Sequence, residues 1–304
     1  MKVLIIGLGS IAKKHVDALR KISSELEFYA LRHKVTDESD GIKNIYSYGD
    51  LEQISFDFAV ISNSTLFHSE TIQKIKHLNI PLFIEKPVFN EVSLVNENLV
   101  KELIEKNNST YVACNLRFLE GMIKMKEILK DKRIEEVNSY CGSYLPDWRE
   151  NKDYKNIYSA KKSEGGGVEL DLIHELDYLY WIFGQPECSH SVFKSNSSLD
   201  IDSTDYANYL LDYGDFCANV ILNYYRKDAK RTFEVLTSEG TYLLNLKENK
   251  IYFNNELIFE SDQTILDTYK IQMKFFIENK VLKNSNFNNI DEAYKILKLC
   301  LGKD

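Results

Sequence analysis

The stretch Val3-Leu-Ile-Ile-Gly7-Leu-Gly9-Ser-Ile-Ala12 decides the fold. A short aliphatic run enters a glycine turn, and a segment with Ile11, Val16, Leu19 and Ile22 at helical spacing leaves it. Strand, turn and helix therefore stand in the order that a GxGxxA motif needs. Gly7 allows the tight turn, Gly9 lets the backbone approach a pyrophosphate, and Ala12 lets the helix pack close to the strand. The N–H groups around Ser10 and Ile11, with the positive end of the helix dipole, would receive the phosphates. Gly7, Gly9, Ser10 and Ile11 are accordingly read as dinucleotide-binding. The competing reading is a glycine turn with no ligand.

Outward from this turn, residues 26–31, 58–62, 82–85 and 111–115 read as further strands. Helical patterns near 69–78 and 92–106 lie between them. Alternation of strands and helices implies a parallel, doubly wound sheet, because parallel strands need crossovers. After about residue 118 the pattern changes. A helix near 121–130 leads to a strand near 137–144, then a Tyr-, Lys- and Asp-rich loop reaches residue 164. Residues 168–183 read as one strongly apolar helix, with Gly184 where a cap belongs. Residues 191–260 alternate strands with tight turns, as in an antiparallel meander. Helices near 267–279 and 291–301 follow. The predicted organisation is α/β: a dinucleotide-binding Rossmann domain over 1–118, then a substrate-binding and oligomerisation domain over 119–304. That second domain is expected to be α/β with a large open antiparallel sheet.

Composition narrows the function classes. The 304 residues are 44% hydrophobic and 28% charged, with a net charge of -8. This is ordinary globular composition, so disorder is excluded. An acidic chain gives no electrostatic reason to expect nucleic acid. The apolar runs fall well short of the ~18 residues of a membrane span, and Val3–Ile6 is too short for the core of a leader. The five cysteines are scattered, odd in number and without CxxC. They point to a reducing, cytoplasmic setting and to no metal site.

The end of the second strand bears on cofactor choice. An acidic residue there binds a ribose 2′-hydroxyl and repels a 2′-phosphate. Here Arg32-His33-Lys34 stand instead, and the next acid is Asp37. The cationic trio suits a 2′-phosphate, so NADP is favoured, with NAD as the alternative.

Further landmarks follow in order: Ile61-Ser-Asn63-Ser-Thr65-Leu-Phe-His68, Phe83-Ile-Glu85-Lys86-Pro87, Asn115-Leu-Arg117-Phe118, and Gly165-Gly-Gly-Val-Glu-Leu-Asp171-Leu-Ile-His174-Glu-Leu-Asp177. In this order and spacing they resemble the glucose–fructose oxidoreductase / inositol dehydrogenase / rhizopine catabolism (Gfo/Idh/MocA) family across essentially the whole chain. The resemblance implies a Rossmann domain followed by an α/β domain with an open sheet. It implies an NAD(P)-dependent enzyme that oxidises or reduces a sugar or polyol carbon. It also implies that Lys86, Asp171 and His174 carry catalysis. One departure stands out. The histidine follows the aspartate by three residues rather than the family's usual four, which still keeps the pair on one helix face but puts the role of Asp171 in doubt. The segment Gly142-Ser-Tyr-Leu-Pro-Asp-Trp148-Arg149, with Tyr154 and Tyr158, looks like a subgroup of this family associated with bacterial surface-sugar pathways.

The chemistry explains these residue types. Transfer of a hydride at a carbinol carbon leaves one proton to move, and histidine suits that task near neutrality, so His174 is read as the acid–base group. An ammonium beside the same oxygen stabilises alkoxide charge, and Lys86 lies just past the carboxyl end of a parallel strand. A cis Lys86–Pro87 bond is a family-based expectation. Asp171 would orient His174, and Asp177 is read as structural. Asn63, Thr65 and Glu85 are expected on the nicotinamide or ribose side. His68 either joins them or starts the next helix. Arg117 either binds a substrate anion or braces the domain interface. Trp148, Arg149, Tyr154 and Tyr158 are expected to form a sugar pocket, since aromatic faces stack on sugar C–H surfaces. The competing reading is a surface loop. A sheet left uncovered on one face should pair with a second subunit, giving a homodimer or homotetramer. Three functions stand: an oxidoreductase of a sugar or sugar derivative, including a nucleotide-activated one of bacterial surface-polysaccharide synthesis; an inositol or small-polyol dehydrogenase; and a non-catalytic dinucleotide-binding regulator. The first two rest on one spatial expectation, that the Lys86 ammonium and the His174 imidazole meet over one carbon.

Overall fold

Val3, Leu4, Ile5 and Ile6 are all buried, as a strand covered on both faces requires. They form the centre of a six-stranded parallel sheet in a computed structural model that describes residues 1–32, 41–281 and 287–303. In chain order the strands are β1 (Lys2–Ile6), β2 (Glu27–Leu31), β3 (Ile42–Ile45), β4 (Phe58–Ile61), β5 (Leu82–Ile84), β6 (Thr110–Val112), β7 (Ile134–Tyr144), β8 (Cys188–Lys194), β9 (Tyr206–Asp212), β10 (Cys217–Asn223), β11 (Tyr225–Thr237), β12 (Gly240–Asn245), β13 (Lys250–Phe253) and β14 (Glu256–Glu260). The helices are α1 (Ser10–Arg20), α2 (His68–Ile75), α3 (Leu94–Glu105), α4 (Glu120–Leu129), α5 (Val168–Asp171), α6 (His174–Phe183), α7 (Ile265–Phe276) and α8 (Ile290–Cys300). Among the described residues no helix is long and apolar enough to cross a membrane.

Two compact units form. The first is Met1–Asn115 with Leu266–Leu297. Its sheet runs β3-β2-β1-β4-β5-β6, the doubly wound order of a Rossmann fold. β3 is a strand that the sequence reading passed over, since a four-residue run carries little pattern of its own. The reading also placed α7 and α8 in the second domain. Packing places α7 and most of α8 in the first. Phe276 sets its ring edge-on to Phe58 at 5.4 Å and to Phe83 at 5.3 Å, and the Tyr111 hydroxyl donates to Gln272 Oε1 at 3.2 Å. Edge strand β6 is closed by Asn288, whose main-chain carbonyl accepts from Val112 N–H at 2.9 Å and whose Nδ2 donates to Val112 O at 2.5 Å. A helical period shows that α7 has an apolar face but not which sheet receives it.

The second unit is Leu116–Ile265 with Lys298–Asp304. Its eight-stranded sheet runs β14-β13-β12-β11-β7-β10-β9-β8. The expected antiparallel meander is corrected in one respect. β7 inserts between β11 and β10 and pairs with β10 in parallel, so the sheet is mixed. Side chains alternate across it. Val137, Ser139 and Cys141 of β7 are buried, whereas Glu136, Asn138 and Tyr140 point to the other face. On the covered face α6 buries Leu176, Tyr178 and Leu179. Its Tyr178 hydroxyl shares a 2.6 Å hydrogen bond with Ser139. The opposite face leaves Leu210 48% and Val192 51% exposed.

Candidate active site

In the first unit the glycine turn has the geometry that a dinucleotide needs. Gly7 has φ +87°, and a Cβ there would collide with the main chain of Asn63. A Cβ on Gly9, by contrast, would meet nothing within 4 Å, so the backbone is open to a close-approaching ligand. Gly9 caps α1 with no side-chain hydrogen bond, and the first turn carries no acidic residue. Its leading N–H groups and positive dipole end are thus suited to phosphate. Ser62 Oγ donates to Gly7 O at 3.0 Å and ties the end of β4 to the turn. Asn63 Nδ2 donates to Thr71 Oγ1 at 2.9 Å, while its buried Oδ1 has no donor among the described residues. An unsatisfied buried acceptor beside the turn is what a ligand hydroxyl or amide would fill. Ser10 is exposed, Ile11 and Thr65 are half-buried, and Arg32 is half-buried just past β2. His33 and Lys34 lie outside the described residues. These features fit a nicotinamide dinucleotide held by Gly7, Gly9, Ser10, Ile11 and Asn63.

His68, by contrast, is fully buried. Its ring nitrogens face the main-chain carbonyls of Val88 at 3.1 Å and Asn63 at 3.2 Å, and burial pushes it below the usual histidine range. His68 is the first residue of α2, as the alternative reading of the sequence has it. Glu85 follows β5. Its N–H donates to Ile61 O at 2.9 Å, its Oε2 accepts from the Lys86 N–H at 3.2 Å, and its Oε1 pairs with His15 Nε2. Lys86 is half-buried, and the Lys86–Pro87 bond is cis.

In the second unit the triple glycine is dictated by crowding. Gly165 has φ +79° and Gly167 has φ +151°, while a Cβ on Gly166 would strike the carbonyl oxygens of Tyr158 and Ser159. This turn delivers Asp171 to a buried position where the hydroxyls of Tyr158 and Tyr224 donate to its two oxygens at 2.7 and 2.6 Å. Burial, with the Asp171 charge beside them, pushes both phenols far above the usual tyrosine range, so they stay protonated donors. Trp148 packs edge-on to Tyr224 at 5.2 Å and donates from Nε1 to Ser143 Oγ at 2.9 Å. The Arg149 guanidinium lies 5.7 Å from the centre of the Tyr158 ring. Trp148 and Tyr158 remain 37% and 41% exposed. Trp148, Arg149, Tyr158, Asp171 and Tyr224 are therefore one cluster. Tyr154 is not part of it through its hydroxyl, which donates to Leu199 O at 3.0 Å.

Two sequence expectations are corrected here. The single helix over 168–183 is broken at Leu172 and Ile173, so Asp171 ends α5 and His174 begins α6. The two residues do not share one helix face. The segment is apolar nearly throughout, so its periodicity carries no sign of the break. Arg117 is 2% exposed and forks onto Asp177, with Nε and Nη2 at 2.9 and 2.6 Å from the carboxylate. This pairing lies within the second unit, occupies two of the three guanidinium nitrogens of Arg117, and is what a structural reading of Asp177 leads one to expect. Glu175 is likewise held by Arg231 at 2.5 and 3.0 Å.

Sequence reading missed His15, Glu169 and Tyr224. His15 stands on the apolar stripe of α1 with Ala12, Val16 and Leu19, a polar group in a buried row, and that was a usable signal. Glu169 is 9% exposed, with burial raising its carboxyl to about 7. Tyr224 lies among strand tyrosines and has no local mark.

Comparison with known proteins agrees with this architecture. Residues 1–114 match the model of an oxidoreductase family with an NAD-binding Rossmann fold, and residues 122–243 match that of the GFO/IDH/MocA C-terminal domain. A curated relative, inositol 2-dehydrogenase/D-chiro-inositol 3-dehydrogenase of Lacticaseibacillus casei, is 22% identical over 210 residues. That match takes in 66% of this chain and 58% of the relative's length. The crystal structure of myo-inositol 2-dehydrogenase from Lactobacillus plantarum superposes with a TM-score of 0.81 at 17% identity, covering 100% of this chain and 96% of that one. UDP-N-acetylglucosamine 3-dehydrogenase from Acidithiobacillus ferrooxidans gives 0.77 at 15% identity, covering 100% and 96%. Both structures share the fold.

Proposed function

Since the chain belongs to the GFO/IDH/MocA family of NAD-binding oxidoreductases, we propose that it acts on a carbinol or carbonyl carbon of a sugar or polyol. The observation that carries this reading is the Asp171 cluster: a buried carboxylate held by two phenols, bordered by the half-exposed faces of Trp148 and Tyr158. Aromatic faces next to fixed polar groups are what a polyhydroxylated ring needs for stacking and hydrogen bonding. Bound nicotinamide dinucleotide supplies or accepts the hydride. His174 takes the substrate hydroxyl proton in oxidation and returns it in reduction. The Lys86 ammonium stabilises the alkoxide and orients it. Asp171 fixes Tyr158, whose ring and guanidinium neighbour Arg149 contact the substrate.

Arg32 supports a preference for the 2′-phosphate of NADP, in place of the acid that a bare ribose favours. Arg149 supports an anionic substituent on the substrate, as in a nucleotide-activated sugar of a surface-polysaccharide pathway, and UDP-N-acetylglucosamine 3-dehydrogenase has the same fold. A neutral inositol is the second reading, favoured by the inositol dehydrogenase relative. The open sheet face, with Leu210 and Val192 exposed, supports a homodimer or homotetramer formed through the second unit.

The test is turnover of myo-inositol, scyllo-inositol and UDP-N-acetylglucosamine with NADP⁺ and NAD⁺, in wild type, Lys86→Ala and His174→Asn. Turnover is expected to fall by about 10³-fold or more in both variants while fluorescence titration shows unchanged dinucleotide binding. Turnover within a few-fold of wild type in either variant would remove that residue from the chemistry. Binding without turnover on any substrate would favour a regulator. Tighter binding of NADH than NADPH would reverse the cofactor preference, and a monomer by light scattering at micromolar concentration would end the oligomer proposal.

A further inference from the structure

His15 has no place in the chemistry proposed above, yet it is 0% exposed in the first unit. A polar ring on a buried helix face needs a partner. Its partner is the Glu85 carboxylate, which His15 Nε2 meets at Oε1. Phe83 packs against the ring at 4.8 Å and Tyr269 at 5.7 Å, which leaves the imidazole little room to rotate. With Nε2 carrying its proton, the ring donates to Glu85, and the buried Nδ1, which has no partner among the described residues, is left as a bare acceptor. A bare acceptor is the less costly atom to leave unmatched.

Glu85 is the residue before Lys86, and its N–H and both carboxylate oxygens are tied. Its N–H is held by Ile61 at the end of β4, and its Oε1 is held by His15 of α1. Its Oε2 accepts the N–H of Lys86 itself at 3.2 Å. Beyond the lysine, Val88 and Phe89 are buried, and Val88 O faces the ring of His68. Lys86 thus leaves the backbone between two anchored flanks. The upstream flank is secured by the helix that starts at the dinucleotide turn.

We infer that His15 is a positioning residue for Lys86: by holding the Glu85 carboxylate from α1, it fixes the main-chain turn from which the lysine is presented. α1 carries both Gly9, the proposed phosphate cradle at its head, and His15 further along the same rigid rod. The placement of the ammonium is therefore referenced to the element that places the dinucleotide. Positioning of a reacting group within fractions of an ångström is worth large factors in rate. The inference rests on the proposed role of Lys86, and its test separates the two.

The experiment compares the full chain with His15→Leu, which fills the site without a donor, and His15→Gln, which returns an amide donor. Amide hydrogen exchange at Lys86 is the first readout, because its N–H is the bond in question. Exchange at Lys86 is expected to speed up about tenfold or more in His15→Leu and to stay within twofold of wild type in His15→Gln. Amides of α2 should be unchanged in both. On whichever of myo-inositol or UDP-N-acetylglucosamine the wild type turns over, kcat should fall about tenfold in His15→Leu, with KM within twofold, and recover in His15→Gln. If His15→Leu does not fold, His15→Asn, whose amide nitrogen takes the place of Nδ1 and falls short of Glu85, replaces it and must speed Lys86 exchange likewise. Unchanged Lys86 exchange in the leucine variant, or equal disturbance in the glutamine variant, overturns the inference. Should Lys86→Ala keep its turnover while the exchange result holds, the role of Lys86 falls and the coupling of His15 to its turn stands.

Discussion

In the first unit the candidate groups hang from main chain; in the second they hang from one another. Gly7, Gly9, Asn63, Glu85 and Lys86 all follow the carboxyl ends of parallel strands, where the doubly wound topology gathers them, and His15 of α1 then holds the Glu85 carboxylate. Asp171, by contrast, has its place because Tyr158 reaches it from the preceding loop and Tyr224 from the end of β10. Arg117 and Asp177 are likewise joined across a wide gap in sequence. A group placed by main chain stays near its strand end when one side chain around it changes, and loses only its fine positioning. A side-chain network fails when one member is lost.

That contrast can be broken at several points. The largest effect is expected at Lys86: Lys86→Ala should lower turnover by about 10³-fold, the scale of losing a group that stabilises transition-state charge, with the melting temperature nearly unchanged. Steady-state kinetics beside a thermal melt checks it. In the second unit the same removal should strike stability. Arg117→Met leaves Asp177 buried and unpaired, and should cost about 3–5 kcal/mol in urea unfolding, with much of it recovered by adding Asp177→Leu. If the single variant unfolds like wild type, the Arg117–Asp177 pair is not structural.

Glu169 offers a pH-dependent version. Its folded carboxyl, raised to about 7, lies above the ordinary 4.5, so the folded state holds the proton more tightly than the unfolded chain. Its contribution is therefore present at low pH and is lost as pH rises from about 4.5 through 7, by about 3 kcal/mol in all. Glu169→Gln should flatten that part of the stability–pH curve, and an unchanged curve would show that the carboxyl does not titrate there. Smaller still, Tyr224→Phe removes one hydrogen bond to a carboxylate and should cost about 1.5–3 kcal/mol. Tyr158→Phe, at a half-exposed ring, should cost less and act more on substrate KM.

The same division governs what could be read in advance. The turn at Gly7 and Gly9, the lysine after β5 and the parallel order of the first sheet are carried by local patterns, and each was legible. Asp171 and His174 were legible as residues but not as a pair. A segment apolar on every side conceals where its helix breaks. Arg117 allowed two readings because an arginine after a strand looks the same whether it meets a ligand or a buried acid. Tyr224 and the insertion of β7 between β10 and β11 had no local mark at all.

The sequence by itself determined the class of the first unit and its phosphate-ready turn, because strand–turn–helix chemistry is written in neighbouring residues. Only the tertiary structure decided which sheet receives the last helices, which acid holds Arg117 and which phenols hold Asp171. Those choices depend on burial shared between distant segments, and a buried polar group takes whichever partner the packing brings within hydrogen-bond reach.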